Sequence, residues 1–370
     1  MRFVIFTHSL VSDWNHGNAH FLRGIATELL SRGHDVRIFE PESSWSRENL
    51  IREHGPQTLS DFAQAYPGLR STLYDLETLD LNEALLGADV VIVHEWNPHE
   101  LVARVGQHHL RHGAYALLFH DTHHRTRTDT PSMSAYNLAH FDGVLAYGAV
   151  IRDTYLSNRW ARAAWTWHEA ADTRVFRPRS PAEFEGDLVW IGNWGDNERA
   201  EELREFLIEP VKRLGLKAKV YGVRYPSHAL AELADARIEY GGWLPNYRVP
   251  EVFSRYRVTV HIPRRPYVRA LPGIPTIRPF EALACGIPMI SAPWIDSEQL
   301  FRAGTDFLTA ANGDEMASQL RTVLSDQGIA ASLAKHGLET ITERHTCSHR
   351  VDQLLQINAQ VLEPTLGGSN

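Results

Sequence analysis

Along the chain, short apolar runs alternate with longer stretches in which apolar residues recur every three or four positions. The runs predict strands at 2–6, 35–39, 89–93, 114–119, 143–147 and 163–167 in the first half. Between the first two, Phe21, Leu22, Ile25, Leu29 and Leu30 fall on one helical face within Gly17 to Arg32, and Gly33 supplies the stop. Strand, loop, helix, glycine stop and strand make a βαβ unit, which implies a parallel sheet with both faces covered. The rhythm restarts with strands predicted at 187–191, 217–221, 237–240, 257–262, 287–291 and 306–309, and helices over 197–214, 275–285, 314–325 and 328–343. Glu169 to Ser180, with Pro178 and few apolar residues, followed by Pro181, reads as a linker. The pattern therefore predicts an α/β protein of two Rossmann-like domains, 1–168 and 182–345, joined by a linker at 169–181. A last helix, 346–362, is expected to cross back to the first domain, and Gly367 to Asn370 to form a loose tail.

Composition changes this picture little. A chain of 370 residues with 43% hydrophobic and 22% charged residues has material for two cores. No apolar run approaches the ~18 residues of a membrane span. Met1 to Phe6 reads as a strand with no signal-peptide apolar region, so no secretory leader is expected, and Cys285 and Cys347 are too few for a disulfide framework. A reducing cytoplasm is the expectation. The net charge of −8 argues against nucleic acid as a partner.

In open parallel sheets, ligands sit beyond the carboxyl ends of the strands, so candidate chemistry is sought there. After the first strand come His16, Gly17 and Asn18; Gly17 opens a helix, so an anion-binding turn and a plain helix cap with Asn18 are both open. After the third and fourth come His94-Glu95-Trp96-Asn97 and His120-Asp121-Thr122-His123-His124. Nine of the twenty histidines lie between His94 and His140, which admits a metal site, a polar rim in which His120 and Asp121 bond hydroxyls, or plain surface loops; His108, His109 and His112 are assigned to the last of these. In the second half, Gly192-Asn193-Trp194-Gly195 leads to Arg199, a phosphate loop or a helix-capping loop with Asp196 or Asn197 as cap. From Val252 to Phe280 there is no Asp or Glu, but there are Arg255, Arg257, Arg264, Arg265, Arg269 and Arg278. Arginine suits bidentate phosphate recognition, so a diphosphate ligand is expected there. Glu281 stands in an otherwise small and apolar helix, where a carboxylate needs a partner, and it could accept from a ribose diol. Cys285 reads as a packing residue.

Phe280-Glu281-Ala282-Leu283-Ala284-Cys285-Gly286-Ile287-Pro288 resembles the nucleotide-sugar signature of group 1, family-four-like glycosyltransferases of the GT-B fold. Ser31-Arg32-Gly33-His34-Asp35-Val36, Ala171 to Pro178 and Tyr240 to Leu244 resemble further motifs of that family, and Arg278 to Leu308 with Arg344-His345-Thr346 is similar to the CgeB-type, spore-maturation branch. The resemblance implies two Rossmann-like domains facing a cleft and transfer of a sugar from a nucleotide diphosphate sugar, a UDP-sugar, held mainly by the C-terminal domain. By the same resemblance Glu281 holds the ribose, and Gly222, Trp243 and Leu244 line the nucleobase. Asn193, Arg199, Arg265, Thr276, Ile277 and Arg278 meet the diphosphate. His120 and Asp121 serve catalysis by orienting the sugar or acting as base, and His16, Gly17 and Asn18 face the cleft. One departure stands out: the family pattern carries a second glutamate eight positions before Glu281, where this chain has Gly273.

The expected reaction needs no metal and no cofactor, since preorganised cations can stabilise the leaving diphosphate, and retention is expected. The acceptor, a saccharide, lipid carrier or small molecule, would meet loops near 8–18, 42–75 and 120–135, and no basic amphipathic helix points to a membrane. A nucleotide-sugar epimerase, a nucleotide-sugar-binding protein without catalysis and a metal hydrolase are the rival readings.

Overall fold

The computed structural model describes residues 1–180, 183–195 and 198–362. Its contacts divide the chain into two compact units, one of Met1–His168 with the segment from Cys347, the other of Glu169–Thr346.

The first unit is built on seven parallel strands: β1 (Arg2–Phe6), β2 (Asp35–Pro41), β3 (Thr72–Tyr74), β4 (Val90–His94), β5 (Ala116–Asp121), β6 (Gly143–Ala146) and β7 (Ala164–Thr166). Their order is β3-β2-β1-β4-β5-β6-β7. Phe3 of β1 lies opposite Val36 of β2 and Val90 of β4, and every residue of β4 is buried, which is why the central strands read as unbroken apolar runs. The edge strand β3, Thr-Leu-Tyr with only Tyr74 buried, has no such run, and no strand was expected there. The Ala19–Ser31 helix buries Phe21, Leu22, Ile25 and Leu29. It ends as the sequence requires: Gly33 takes φ +79°, its N–H reaches the Leu30 carbonyl, and His34 N–H reaches that of Leu29. The Cys347–Leu362 helix belongs to this unit. Asp352 and the Ser348 hydroxyl bind Arg32, and the Trp167 indole donates to the Arg350 carbonyl.

The second unit has six parallel strands: β8 (Gly186–Ile191), β9 (Ala218–Tyr221), β10 (Glu239–Tyr240), β11 (Tyr256–His261), β12 (Met289–Ser291) and β13 (Leu308–Thr309), ordered β10-β9-β8-β11-β12-β13. Leu188, Val220, Val258, Ile290 and Leu203 are among the residues of its core. The helix expected over 197–214 runs from Ala200 to Leu214 and widens to a π turn at Arg204–Ile208, because Pro210 cannot donate to the preceding turn. Residues 169–180 pack into this unit rather than spanning free: Phe176 is fully buried and Ala171 bridges to Thr346. Pro181, the proposed caps Asp196 and Asn197, and the tail from Gly367 lie outside the described residues.

In both sheets the strand order reverses once, between β1 and β4 and between β8 and β11. Those are the two positions where a doubly wound sheet opens a crevice at its carboxyl edge.

Candidate functional site

In the second unit, the carboxyl edges of β8, β9 and β11 carry the chemistry. Loops after β8, β9 and β10 are stitched together: Gly222 N–H donates to the Gly242 carbonyl, and the Asn193 amide oxygen accepts from Val223 N–H. Gly222, at φ +155°, lies so close to Gly192 that any Cβ there would be driven into the Gly192 carbonyl. Trp243 and Leu244, half-buried, follow β10. Asn193 offers its carbonyl to Arg199, whose Nη1 also reaches the Ile262 carbonyl at 3.1 Å. This guanidinium lies over the Trp190 ring and, among the described residues, has no carboxylate in hydrogen-bond contact. Burial, reinforced by Arg264 and Arg278, pushes its pKa down to about 9, so it remains a cation at neutral pH.

Across the crevice, the Ile277–Ala284 helix begins at Thr276, which adopts φ +63° and ψ −178°. A β-branched residue in that region is strained by roughly 1–3 kcal/mol, and such strain persists where the surroundings impose it. Glu281 is fully buried. Its Oε1 accepts from the Asn246 amide at 2.6 Å and its Oε2 is bound by Arg278, so the partner expected for this carboxylate is supplied within the protein. Glu169, 5% exposed, lies in the same field, and burial and Glu281 raise its carboxyl to about 8 against the opposing pull of Arg278. His261, at the end of β11, bonds the Ser291 hydroxyl through Nδ1; burial, followed by the nearby Arg199, holds it down to about 3 against the opposing pull of the Pro275 carbonyl.

Most of the acid-free arginine stretch is compensated through space. Arg255 pairs with Glu185 and Glu251, Arg257 with Asp187, Arg264 with Glu198, and Arg265 with Glu202 and Glu201. Arg265 thus carries no spare charge toward a diphosphate, a correction to counting charges along the sequence. Asn193, Arg199, Thr276, Ile277 and Arg278 do come together around one crevice. At Gly273, φ is +90° and a Cβ would meet Glu298 Oε1 and Ser297 Oγ, each at 2.8 Å, so the site expected for a second glutamate is closed to any side chain. Asn246, His261 and Glu169 were not foreseen; only distant pairing brings them to Glu281 and Arg199.

In the first unit, the carboxyl edges of β1, β4 and β5 bring four buried imidazoles into one row. Ring centroids are 5.4 Å apart for His8 and His16, 6.3 Å for His16 and His94, and 5.4 Å for His94 and His120. Burial holds His8 down to about 4 and His120 to about 3, and His16 and His94 lie well below their ordinary value, so the row is neutral at physiological pH. Asn18 occupies the helix N-cap position without capping; its amide nitrogen lies 3.1 Å from His94 Nε2 instead. Gly17 is exposed beside them. His120 packs on Phe21 and Trp167.

Asp121 is placed otherwise than expected of a base. It is fully buried, its Oδ2 accepts from the Thr126 hydroxyl at 2.6 Å and the Tyr155 hydroxyl at 2.9 Å, and its Oδ1 from His123 N–H. It orders the loop after β5. Glu95 accepts from Arg125 at 2.9 Å and from Thr122 N–H, with Arg125 in turn over the Trp96 ring. Among the described residues no group of three or more His, Cys, Asp or Glu is arranged to hold a metal ion. His108 and His109, expected as plain surface residues, are hydrogen-bonded to Tyr115. Cys285 is buried and its thiol is pushed well up by burial, as suits packing.

Residues 199–356 match the model of a family described as glycosyl transferase-like. No curated protein matches the chain in sequence. Similar solved structures include a sucrose-phosphate synthase from Thermosynechococcus elongatus, 14% identical with a TM-score of 0.66 over 98% of this chain and 99% of that one. HepE of Anabaena in complex with UDP is 13% identical, TM-score 0.66, over 97% and 100%. An alpha-glucosyltransferase in complex with UDP is 11% identical, TM-score 0.69, over 97% and 100%. The fold is therefore that of the GT-B glycosyltransferases, two Rossmann-like units in tandem.

Proposed function

We propose that the protein is a glycosyltransferase that moves a sugar from a UDP-sugar to an acceptor, without a metal and with retention at the anomeric carbon. The observation that carries this reading is the crevice between β8 and β11, where Arg199, without a carboxylate partner among the described residues, stands beside the Arg278–Glu281 pair and the strained helix start at Thr276. A diphosphate needs preorganised cations and N–H donors, and this crevice offers both. The diphosphate would draw Arg278 away from Glu281, leaving that carboxylate to accept from the ribose hydroxyls while Asn246 holds it in place. Gly222, Trp243 and Leu244 would flank the base. UDP as the nucleotide is supported by the UDP complexes of two structures with this fold.

In transfer, the bond from the anomeric carbon to the leaving phosphate oxygen breaks, the acceptor oxygen bonds the same face, and the acceptor proton passes to the leaving diphosphate. Retention by this route is supported by the engagement of both nearby carboxylates of the first unit, Asp121 and Glu95, which leaves neither disposed as a general base. His120, held neutral, would serve the sugar as a hydrogen-bonding group, and the CgeB-type branch of the family is the kinship we favour.

Calorimetric titration with UDP, GDP, dTDP, ADP and CMP tests the reading. UDP alone binding in the micromolar range, followed by transfer from a UDP-sugar, is the expected result. Failure of every nucleotide to bind would overturn it, and a changed sugar on the nucleotide would make the enzyme an epimerase.

A further inference from the structure

The imidazole row of the first unit holds more polar atoms than the protein itself satisfies. Among the described residues, His16 Nε2, Asn18 Oδ1 and His120 Nε2 of this row, and Thr7 Oγ1 just beyond β1, are buried without a hydrogen-bond partner, on residues that are between 1% and 8% exposed. Each unpaired buried group costs about 1–3 kcal/mol, so several gathered at one crevice point to a bound molecule that satisfies them. The crevice is the one at which the strand order of the first sheet reverses.

The chemistry of these atoms selects the ligand. A hydroxyl and the nitrogens of neutral imidazoles can each donate or accept, and an amide oxygen accepts. An alcohol, which both donates and accepts, satisfies such a set; a phosphate, which at neutral pH mainly accepts, does not. Charge agrees: the two arginines of this neighbourhood are compensated, Arg23 by Asp13 at 2.9 Å and Arg125 by Glu95 at 2.9 Å. The half-buried indoles of Trp45 and Trp96 lie 4.8 and 6.4 Å from the His8 ring, apolar surfaces of the kind that the C–H face of a sugar covers.

We infer that this crevice binds an uncharged saccharide and that the acceptor of the proposed transferase, on whose reading this rests, is a neutral sugar hydroxyl rather than a phosphorylated carrier. His16, Asn18 and Thr7 select it by hydrogen bonds to vicinal hydroxyls.

Saturation-transfer NMR on the full chain reads this without nucleotide, using methyl α-glucoside, methyl α-galactoside, methyl α-mannoside and maltose, with glucose 6-phosphate as the anionic comparison. At least one neutral sugar should receive saturation and glucose 6-phosphate none. Asn18→Ala should weaken that sugar at least tenfold, and Asn18→Asp, which keeps the shape but adds a charge and loses the amide donor, should do the same. UDP affinity in both variants, measured in the same samples, should stay within twofold and reports that they are folded. UDP binding with no neutral sugar bound, or a preference for glucose 6-phosphate, overturns the inference while leaving the transferase reading intact. Loss of UDP binding in the unaltered protein overturns that reading instead.

Discussion

A carboxylate sealed inside a helix, as Glu281 is, keeps its charge only because Arg278 and Asn246 meet both its oxygens. Glu281→Gln keeps the shape and removes the charge. If the ribose hydroxyls bind this carboxylate, the loss of a charge-assisted hydrogen bond of about 1.5–3 kcal/mol should weaken UDP roughly tenfold to a hundredfold in calorimetry. Unchanged affinity would move the ribose elsewhere. Arg265 makes the contrasting case: with Glu202 and Glu201 already on its guanidinium, Arg265→Ala removes an exposed ion pair worth about 0–1 kcal/mol and should leave UDP affinity within a few-fold. Gly222 and Gly33 show the same logic in the backbone. Both have positive φ, but a Cβ at Gly33 meets nothing, whereas at Gly222 it meets the Gly192 carbonyl. Gly33→Ala should cost about 1 kcal/mol of strain. Gly222→Ala should cost about 2–4 kcal/mol and abolish UDP binding, as thermal melts and calorimetry would show together.

At the scale of elements, the Ile277–Ala284 helix is held in a strained start for which Thr276 is a poor residue. Glycine takes that conformation freely, so Thr276→Gly should raise the melting temperature by a few degrees, the strain relieved exceeding the backbone freedom lost. If the strain serves to aim the first N–H groups at a diphosphate, the same change should weaken UDP; a more stable protein with unchanged affinity would make the strain incidental. What the sequence foretold at this scale follows from physics. Strands buried on both faces, such as β4 and β5, are continuous apolar runs and were legible. The edge strand β3 and the π turn before Pro210 were not, because one has no apolar run and the other is a local response to a missing N–H. Within the candidate site, Glu281 and Arg278 were legible as neighbours on one helix. Asn246 and His261 were not, since only the packed sheet brings them to that crevice, and the arginine stretch misled because its acids come from residues 185–202 and Glu251.

For the whole molecule, both units bury titratable groups in the form they would not hold in water, and the consequences for pH oppose each other. His8, His120 and His261 remain neutral in the fold down to about 4, 3 and 3, whereas in the unfolded chain they protonate near 6.5. Below 6.5 the unfolded state therefore binds more protons, and each histidine removes up to about 1.4 kcal/mol of stability per pH unit of acidification. His16 and His94 act in the same direction. Glu169 does the reverse: protonated in the fold to about 8 but ionised near 4.5 when unfolded, it stabilises fully only below 4.5 and loses that contribution as pH rises toward 8. Glu95, likewise raised to about 8 by burial and Asp121, and Asp121, raised by burial, act as Glu169 does; between 4.5 and 6.5 the five histidines outnumber these carboxyls and stability still climbs with pH, whereas from 6.5 to 8 the carboxyls dominate the balance and stability falls. The melting temperature should accordingly peak near pH 6.5, dropping steeply on the acid side and gently on the alkaline side. Glu169→Gln should make the alkaline limb shallower, the share of Glu95 remaining, and leave the acid limb in place, so that a variant whose alkaline limb is unchanged would show that the Glu169 carboxyl is ionised in the fold.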